Sequence, residues 1–124
     1  MTVIEVLDKS SIENLYAPLS YPARRVVYIG RDAKETEREC RVYRALFAAR
    51  GMQTEVEAVT VTPGTGREME TLTALFAAPD SYLIDLVGGD EALLFLLGRA
   101  VEVAKPAHAL MHYGSALTHR FLAV

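Results

Sequence analysis

The chain has 124 residues, of which 51% are hydrophobic and 23% charged, as expected for one globular domain with its own core. Its net charge of -3 argues against a general surface for long nucleic acids, and its single cysteine excludes a disulfide framework. The N-terminus lacks a signal peptide's basic start and apolar stretch, and no apolar run approaches the roughly 20 residues that span a bilayer. We therefore expect a cytoplasmic domain without a membrane partner.

The first predicted unit is a strand at residues 2–7 followed by a short helix. The strand is β-branched and apolar, interrupted only by one glutamate. Ser10 and Glu13 have the spacing of a capping box that starts the helix, and Pro18 stops or kinks it. The polar residues between strand and helix are Asp8, Lys9, Ser10 and Ser11.

Two further strands are predicted at residues 25–29 and 53–61, on either side of a helix. Asp32 caps that helix and Gly51 ends it. Polar and apolar residues alternate in the strand at 53–61, which places it near the sheet edge. The residues that join the strand at 25–29 to the cap are Gly30 and Arg31.

The stretch at residues 82–106 organises the chain. It begins with a buried strand at 82–87, turns at Gly88 and Gly89, and enters a helix that starts near Asp90. The two glycines allow a sharp turn and a close approach of a ligand to the main chain, and free N–H groups at a helix start suit an anion. Asp90 can cap the helix and satisfy the same donors itself, so both interpretations stay open.

The helix after this turn is apolar around most of its circumference. Its apolar residues are Leu93, Leu94, Phe95, Leu96, Leu97, Val101 and Val103. A helix of this kind is buried on more than one side, and one side must pack on the sheet. We expect a second copy of the chain to cover the other side, which predicts a homodimer.

The C-terminal part completes the sheet with a strand at residues 107–113, a turn at 114–115 and a possible sixth strand at 119–124. A further helix is predicted after the strand at 53–61, through Met69, Leu72 and Phe76, and it stops before Pro79. Strand followed by helix, four times over, predicts a Rossmann-like, doubly wound α/β fold. Its sheet should be mainly parallel, with five or six strands and helices on both faces.

Ligands of doubly wound sheets bind beyond the carboxyl ends of the strands, where the strand order reverses. The loops expected there supply a cation, hydroxyl groups and two helix starts. These groups suit a phosphate-bearing ligand, but taken alone they favour the alternative of two ordinary capped helix starts. The candidate ligand-binding residues are Asp8, Lys9, Ser10, Ser11, Gly30, Arg31, Gly88, Gly89, Asp90 and Glu91.

Three segments of the chain resemble a known family. They are V-I-E-V-L-D-K-S-S-I-E-N-L, P-A-R-R-V-V-Y-I-G and L-I-D-L-V-G-G-D-E-A-L-L-F-L-L-G. Together, within residues 2–113, they look like the CRISPR-associated Rossmann-fold (CARF) domain, and are most similar to the amino-terminal domain of DUF1887-type effectors.

The resemblance implies a sensor of a type III CRISPR ancillary effector in antiviral defence. A homodimer would bind cyclic oligoadenylate, with cyclic tetra-adenylate as the expected ring, and regulate a downstream nuclease. We expect residues 1–124 to be a single ligand-sensing domain, the N-terminal part of such an effector, because the chain has no room for the nuclease. We expect no cofactor.

The chain departs from the family at the glycine turn, which often contains Thr-Gly-Gly-Thr-Lys. Here Val87 replaces the first threonine, and Asp90 and Glu91 replace Thr-Lys, so that two carboxylates are gained. Two alternatives therefore remain beside the sensor. One is a ring nuclease in which Lys9, Ser10 and Ser11 position a 2′-hydroxyl, and the other is a dimerisation domain without a ligand.

No metal site and no catalytic residue are predicted. His108, His112 and His119 have no metal-binding spacing, and Cys40 lies on the core stripe of its helix. Asp85, inside an apolar strand, is either a buried carboxylate bonded to backbone N–H groups or a residue of the ligand site.

Overall fold

Strands and helices alternate in the computed structural model, which describes residues 1–115 and 118–124. The elements are β1 (Thr2–Val6), α1 (Ser11–Ser20), β2 (Arg25–Gly30), α2 (Ala33–Ala49), β3 (Glu55–Thr60), α3 (Glu68–Ala74), β4 (Ser81–Asp85), α4 (Glu91–Ala104), β5 (His108–Ser115) and β6 (Thr118–Ala123). No helix in the described part of the chain is long and apolar enough to cross a membrane.

The strands form one six-stranded sheet in the order β3-β2-β1-β4-β5-β6. The first five strands in sequence are parallel, and β6 pairs antiparallel with β5. The predicted doubly wound α/β fold is therefore confirmed, with β3 at an edge. The chain order reverses between β1 and β4, so the carboxyl ends of these two strands mark the place where a ligand is expected.

The helices cover both faces of the sheet because the central strands are buried on both sides. Ile4 and Val6 of β1 face the core beneath α3 and α4, which includes Leu72 and Leu97. Val3 faces the opposite core, beneath α1 and α2. Cys40 belongs to that second core and is fully buried, which confirms its packing role.

α1 is longer than its proline predicts. It runs through Pro18 to Ser20, although a proline cannot donate to the carbonyl four residues earlier. That carbonyl belongs to Asn14, and it accepts a hydrogen bond from the Tyr28 hydroxyl at 2.9 Å. A partner from β2 thus replaces the bond that Pro18 cannot make.

Other boundaries differ by a few residues. β4 ends at Asp85 rather than at residue 87, and β5 continues through Gly114 and Ser115, which were predicted as a turn. Both residues pair with β6, so strand pairing overrides their turn preference. Ser10 occupies the N-cap position of α1, but its side chain makes no capping bond.

Candidate ligand cleft

A cleft of about 700 Å³ opens beyond the carboxyl ends of β1, β2 and β4. Most of the predicted ligand residues line it: Asp8, Lys9, Ser11, Gly30, Arg31, Gly89 and Asp90. Ser10, Gly88 and Glu91 are not among the lining residues. Three loops that are distant in sequence therefore meet at one cleft, where the strand order reverses.

One wall of the cleft comes from α2, which the sequence reasoning did not include. The wall consists of the N-cap residue Asp32 and of three residues of the helix, Glu35, Thr36 and Glu39. They recur every three or four residues and so share one face of the helix. That spacing could have identified the wall once the N-terminus of α2 was placed beside the loop after β1.

The turn after β4 requires both glycines. Gly88 and Gly89 have φ angles of 81° and 96°, which side chains rarely adopt. A Cβ on Gly89 would lie 2.7 Å from the backbone oxygen of Val6. The turn is therefore packed directly against the end of β1.

The side chain of Asp8 accepts a hydrogen bond from the backbone of this turn. Its Oδ1 accepts from the N–H of Gly89 at 2.9 Å, and its Oδ2 accepts from the N–H of Ser10 at 2.9 Å. These backbone donors, Gly89 first, lower the pKa of Asp8. An internal carboxylate is thus bound at the Gly89 N–H, one of the groups expected to receive an anion.

Asn14 fixes the position of the Asp8 backbone. Its Oδ1 accepts from the N–H of Asp8 at 2.7 Å, and its Nδ2 donates to the carbonyl of Asp8 at 2.9 Å. The same Nδ2 donates to the hydroxyl of Tyr43 on α2. Asn14 is buried. The sequence did not predict its role, because no local motif indicates a contact with Tyr43.

Asp90 caps α4, as the sequence allowed. Its Oδ1 accepts from the N–H groups of Ala92 at 3.0 Å and Leu93 at 3.2 Å. Arg31 binds the same carboxylate in a bidentate manner, with Nη2 donating to Oδ1 at 3.0 Å and Nε donating to Oδ2. The Arg31 guanidinium, together with the two N–H groups, lowers the pKa of Asp90. The donors at the start of α4 are therefore also bound by a carboxylate of the protein.

The cleft combines charges of both signs. Lys9 and Arg31 supply cations, whereas Asp32, Glu35 and Glu39 supply carboxylates along the α2 wall. Cations suit phosphate groups, and carboxylates accept hydrogen bonds from hydroxyl or amino groups. A ligand that carries all of these groups matches the lining.

His108, His112 and Asp85 do not line this cleft. Asp85 is buried and accepts from the N–H of Val87 at 3.0 Å, which agrees with the buried-carboxylate alternative. His112 is also buried and lies beside Asp85, whereas the side chain of His119 is outside the described atoms. Within the described residues, no group of three or more His, Cys, Asp or Glu residues is placed to hold a metal ion.

Comparison with models of known protein families, and with curated protein sequences, finds no match to the chain. The chemistry of the cleft lining is therefore the basis for assigning a ligand.

Proposed function

We propose that this domain is a cytoplasmic sensor that binds cyclic oligoadenylate, with cyclic tetra-adenylate as the expected ring, at a homodimer interface. It would regulate a nuclease, as in the CARF-containing ancillary effectors of type III CRISPR systems. The observation that carries the proposal is the convergence of Lys9, Ser11 and Arg31 in one cleft beside the turn at Gly89. This cleft lies where doubly wound sheets bind nucleotides.

The cations would bind the phosphates of the ligand. The guanidinium of Arg31 has five N–H groups, and its bonds to Asp90 use Nε and Nη2, so other donors remain for a phosphate oxygen. Lys9 adds a second, more mobile cation. The N–H groups at Gly89 and at the start of α4 are occupied, so these side chains, rather than the helix start, would hold the phosphate.

The acidic wall of α2 would face the neutral donors of the ligand. Glu35 and Glu39 line the same cleft as Lys9 and Arg31 and carry the opposite charge. Ribose hydroxyls and the amino group of adenine both donate hydrogen bonds, which carboxylates accept. An oligoadenylate supplies phosphates, hydroxyls and amino groups together, whereas inorganic phosphate supplies no such amino group.

A dimer would supply two such clefts to one ring. The described chain exposes large apolar side chains on α4, β5 and β6, namely Phe95, Val103, Leu110, Tyr113, Phe121 and Leu122. Exposed apolar side chains of this size are available to a protein partner. A cyclic tetra-adenylate has internal two-fold symmetry, which suits two identical half-sites.

Calorimetric titration with cyclic tri-, tetra- and hexa-adenylate tests the proposal. Lys9→Ala should weaken binding by about ten-fold or more, because a charge-assisted contact contributes about 1.5–3 kcal/mol. Lys34→Ala is the matched control, since Lys34 is exposed on α2 and does not line the cleft. Absence of heat and of thermal stabilisation with every ring would leave the dimerisation domain, and recovery of a linear product would favour the ring nuclease.

A further inference from the structure

A row of side chains crosses the sheet in register on the face that α1 covers. Tyr28 of β2 lies opposite Glu5 of β1, and Glu5 lies opposite Asp85 of β4. Asp85 in turn lies opposite His112 of β5. Side chains opposite each other in neighbouring strands share a face and lie within contact distance. Two carboxyl groups and an imidazole thus stand side by side in the centre of the sheet.

These three groups are removed from solvent. Glu5, Asp85 and His112 are only 1%, 2% and 1% exposed. Within the described residues, Glu5 Oε1 and Asp85 Oδ2 accept no hydrogen bond. Two ionised carboxylates are acceptors only, so they cannot bond to each other, and buried like charges on opposed residues are destabilising. A proton on one carboxyl group makes that group a hydrogen-bond donor to the other and removes the repulsion between two buried negative charges.

We infer that Glu5 holds a proton at neutral pH and donates it to Asp85, and that the two are positioning residues for the turn at Gly88 and Gly89. Asp85 would link Glu5 to the turn, because Asp85 Oδ1 accepts a hydrogen bond from the N–H of Val87, the residue before Gly88, at 3.0 Å. His112 Nδ1 lies 3.0 Å from the same oxygen, so the Asp85 side chain is in contact with both the turn and β5. The proton would position the turn beside the cleft whatever ligand the cleft binds.

The surroundings of Glu5 favour the protonated form. Burial is the largest effect that raises its pKa well above the ordinary value, followed by repulsion from the charge of Asp85 and, less strongly, from that of Glu13. The Tyr28 hydroxyl is directed to the carbonyl of Asn14 rather than to Glu5. Among the described residues, the other titratable groups around the row come from α1, the loop after it and α2: Tyr16, Tyr21, Cys40 and Tyr43.

Carbon-13 NMR of the side-chain carboxyl groups in the wild-type chain tests the proton directly. We expect the Glu5 carboxyl shift to be that of a protonated acid at pH 7, whereas the carboxyl of Glu68, whose pKa is lowered by a hydrogen bond from Thr65, should show the shift of an ionised group. An ionised Glu5 at pH 7 would overturn the inference. This measurement needs no variant and therefore does not depend on whether a substituted chain folds.

Amide exchange at Val87 tests the positioning role. As pH rises through the Glu5 titration found by NMR, protection of the Val87 N–H should fall in the wild type. It should stay constant, relative to unstructured exchange, in Glu5→Gln, because a neutral amide keeps a donor beside Asp85. Equal protection of Val87 in the two chains throughout the titration would show that the proton does not position the turn.

Discussion

Asp90 has two structural roles, since its carboxylate caps α4 and also binds Arg31. Substitution separates the two. Asp90→Ala should lower the free energy of unfolding by about 0.5–2 kcal/mol through loss of the cap, whereas Asp90→Asn should retain most of the stability, because asparagine caps equally well. Urea unfolding at pH 7 measures both.

Ser10→Ala is the control for the cap, because Ser10 is at an N-cap position without a side-chain capping bond. It should change the stability little. A loss with Ser10→Ala as large as that with Asp90→Ala would contradict this account of the two helix starts.

Glu5 should make stability depend on pH. Its pKa in the folded chain is raised above the ordinary value of 4.5, so the folded state keeps a proton that the unfolded state releases. The stabilisation is therefore complete below pH 4.5 and is lost as pH rises toward the folded pKa. Within that window one proton corresponds to about 1.4 kcal/mol per pH unit.

Urea unfolding of wild type and Glu5→Gln between pH 5 and pH 8 measures this slope, since glutamine does not titrate. The free energy of unfolding of the wild type should fall relative to that of the variant as pH rises. Parallel curves over the whole range would show that Glu5 does not retain a proton on folding.

At the scale of single elements, the turn after β4 is fixed by steric contact. Gly89→Ala should destabilise the chain, because the added Cβ would lie 2.7 Å from the oxygen of Val6 at a φ of 96°. Gly89→Ala, like the bulkier Gly89→Val, should therefore disturb the fold in addition to hindering the approach of a ligand to the main chain. Gly51→Ala is the control, since Gly51 also has a positive φ, 74°, but no atom near the added Cβ.

Thermal unfolding compares the two glycine variants. The melting temperature of Gly89→Ala should fall further than that of Gly51→Ala, because both share the backbone strain and only the first adds a clash. Equal shifts would mean that the close approach of the turn to β1 contributes nothing.

Local signals predicted most of the elements, and remote contacts account for the differences. Asp32 and Asp90 were predictable as caps because a cap depends on residues within one turn. The passage of α1 through Pro18 was not, because it depends on Tyr28 in another element. The same limit applies to Asn14, whose partner Tyr43 is on α2.

The candidate site follows the same division. The loops after β1, β2 and β4 were predicted to contribute ligand residues, because the carboxyl ends of parallel strands meet at one edge. The α2 wall with Glu35 and Glu39 was not predicted. The hydrogen bond from the Gly89 N–H to the Asp8 carboxylate was also not predicted, because the two residues are far apart in sequence.

At the scale of the whole molecule, the apolar surface of α4 is smaller than its sequence indicates. Leu97 is fully buried in the core, so Leu97→Glu would disrupt folding rather than an interface. Phe95 is 68% exposed, with Glu91 and Arg99 one turn away on the same face. Phe95→Glu is therefore the substitution that tests the dimer.

Sedimentation velocity at micromolar concentration should show a dimer for the wild type and a shift toward monomer for Phe95→Glu. Val42→Glu, at a 58% exposed position on α2, adds the same charge elsewhere and should leave the dimer intact. A folded monomeric wild type, or equal dissociation by both variants, would contradict the proposed interface.

The stoichiometry of binding tests the central claim most directly. If two clefts share one ring across a two-fold axis, native mass spectrometry with cyclic tetra-adenylate should show two chains with one ring, and Lys9→Ala should abolish or strongly reduce that species. A complex of one chain with one ring, or a dimer that takes up no ring at concentrations well above those of the protein, would contradict the account.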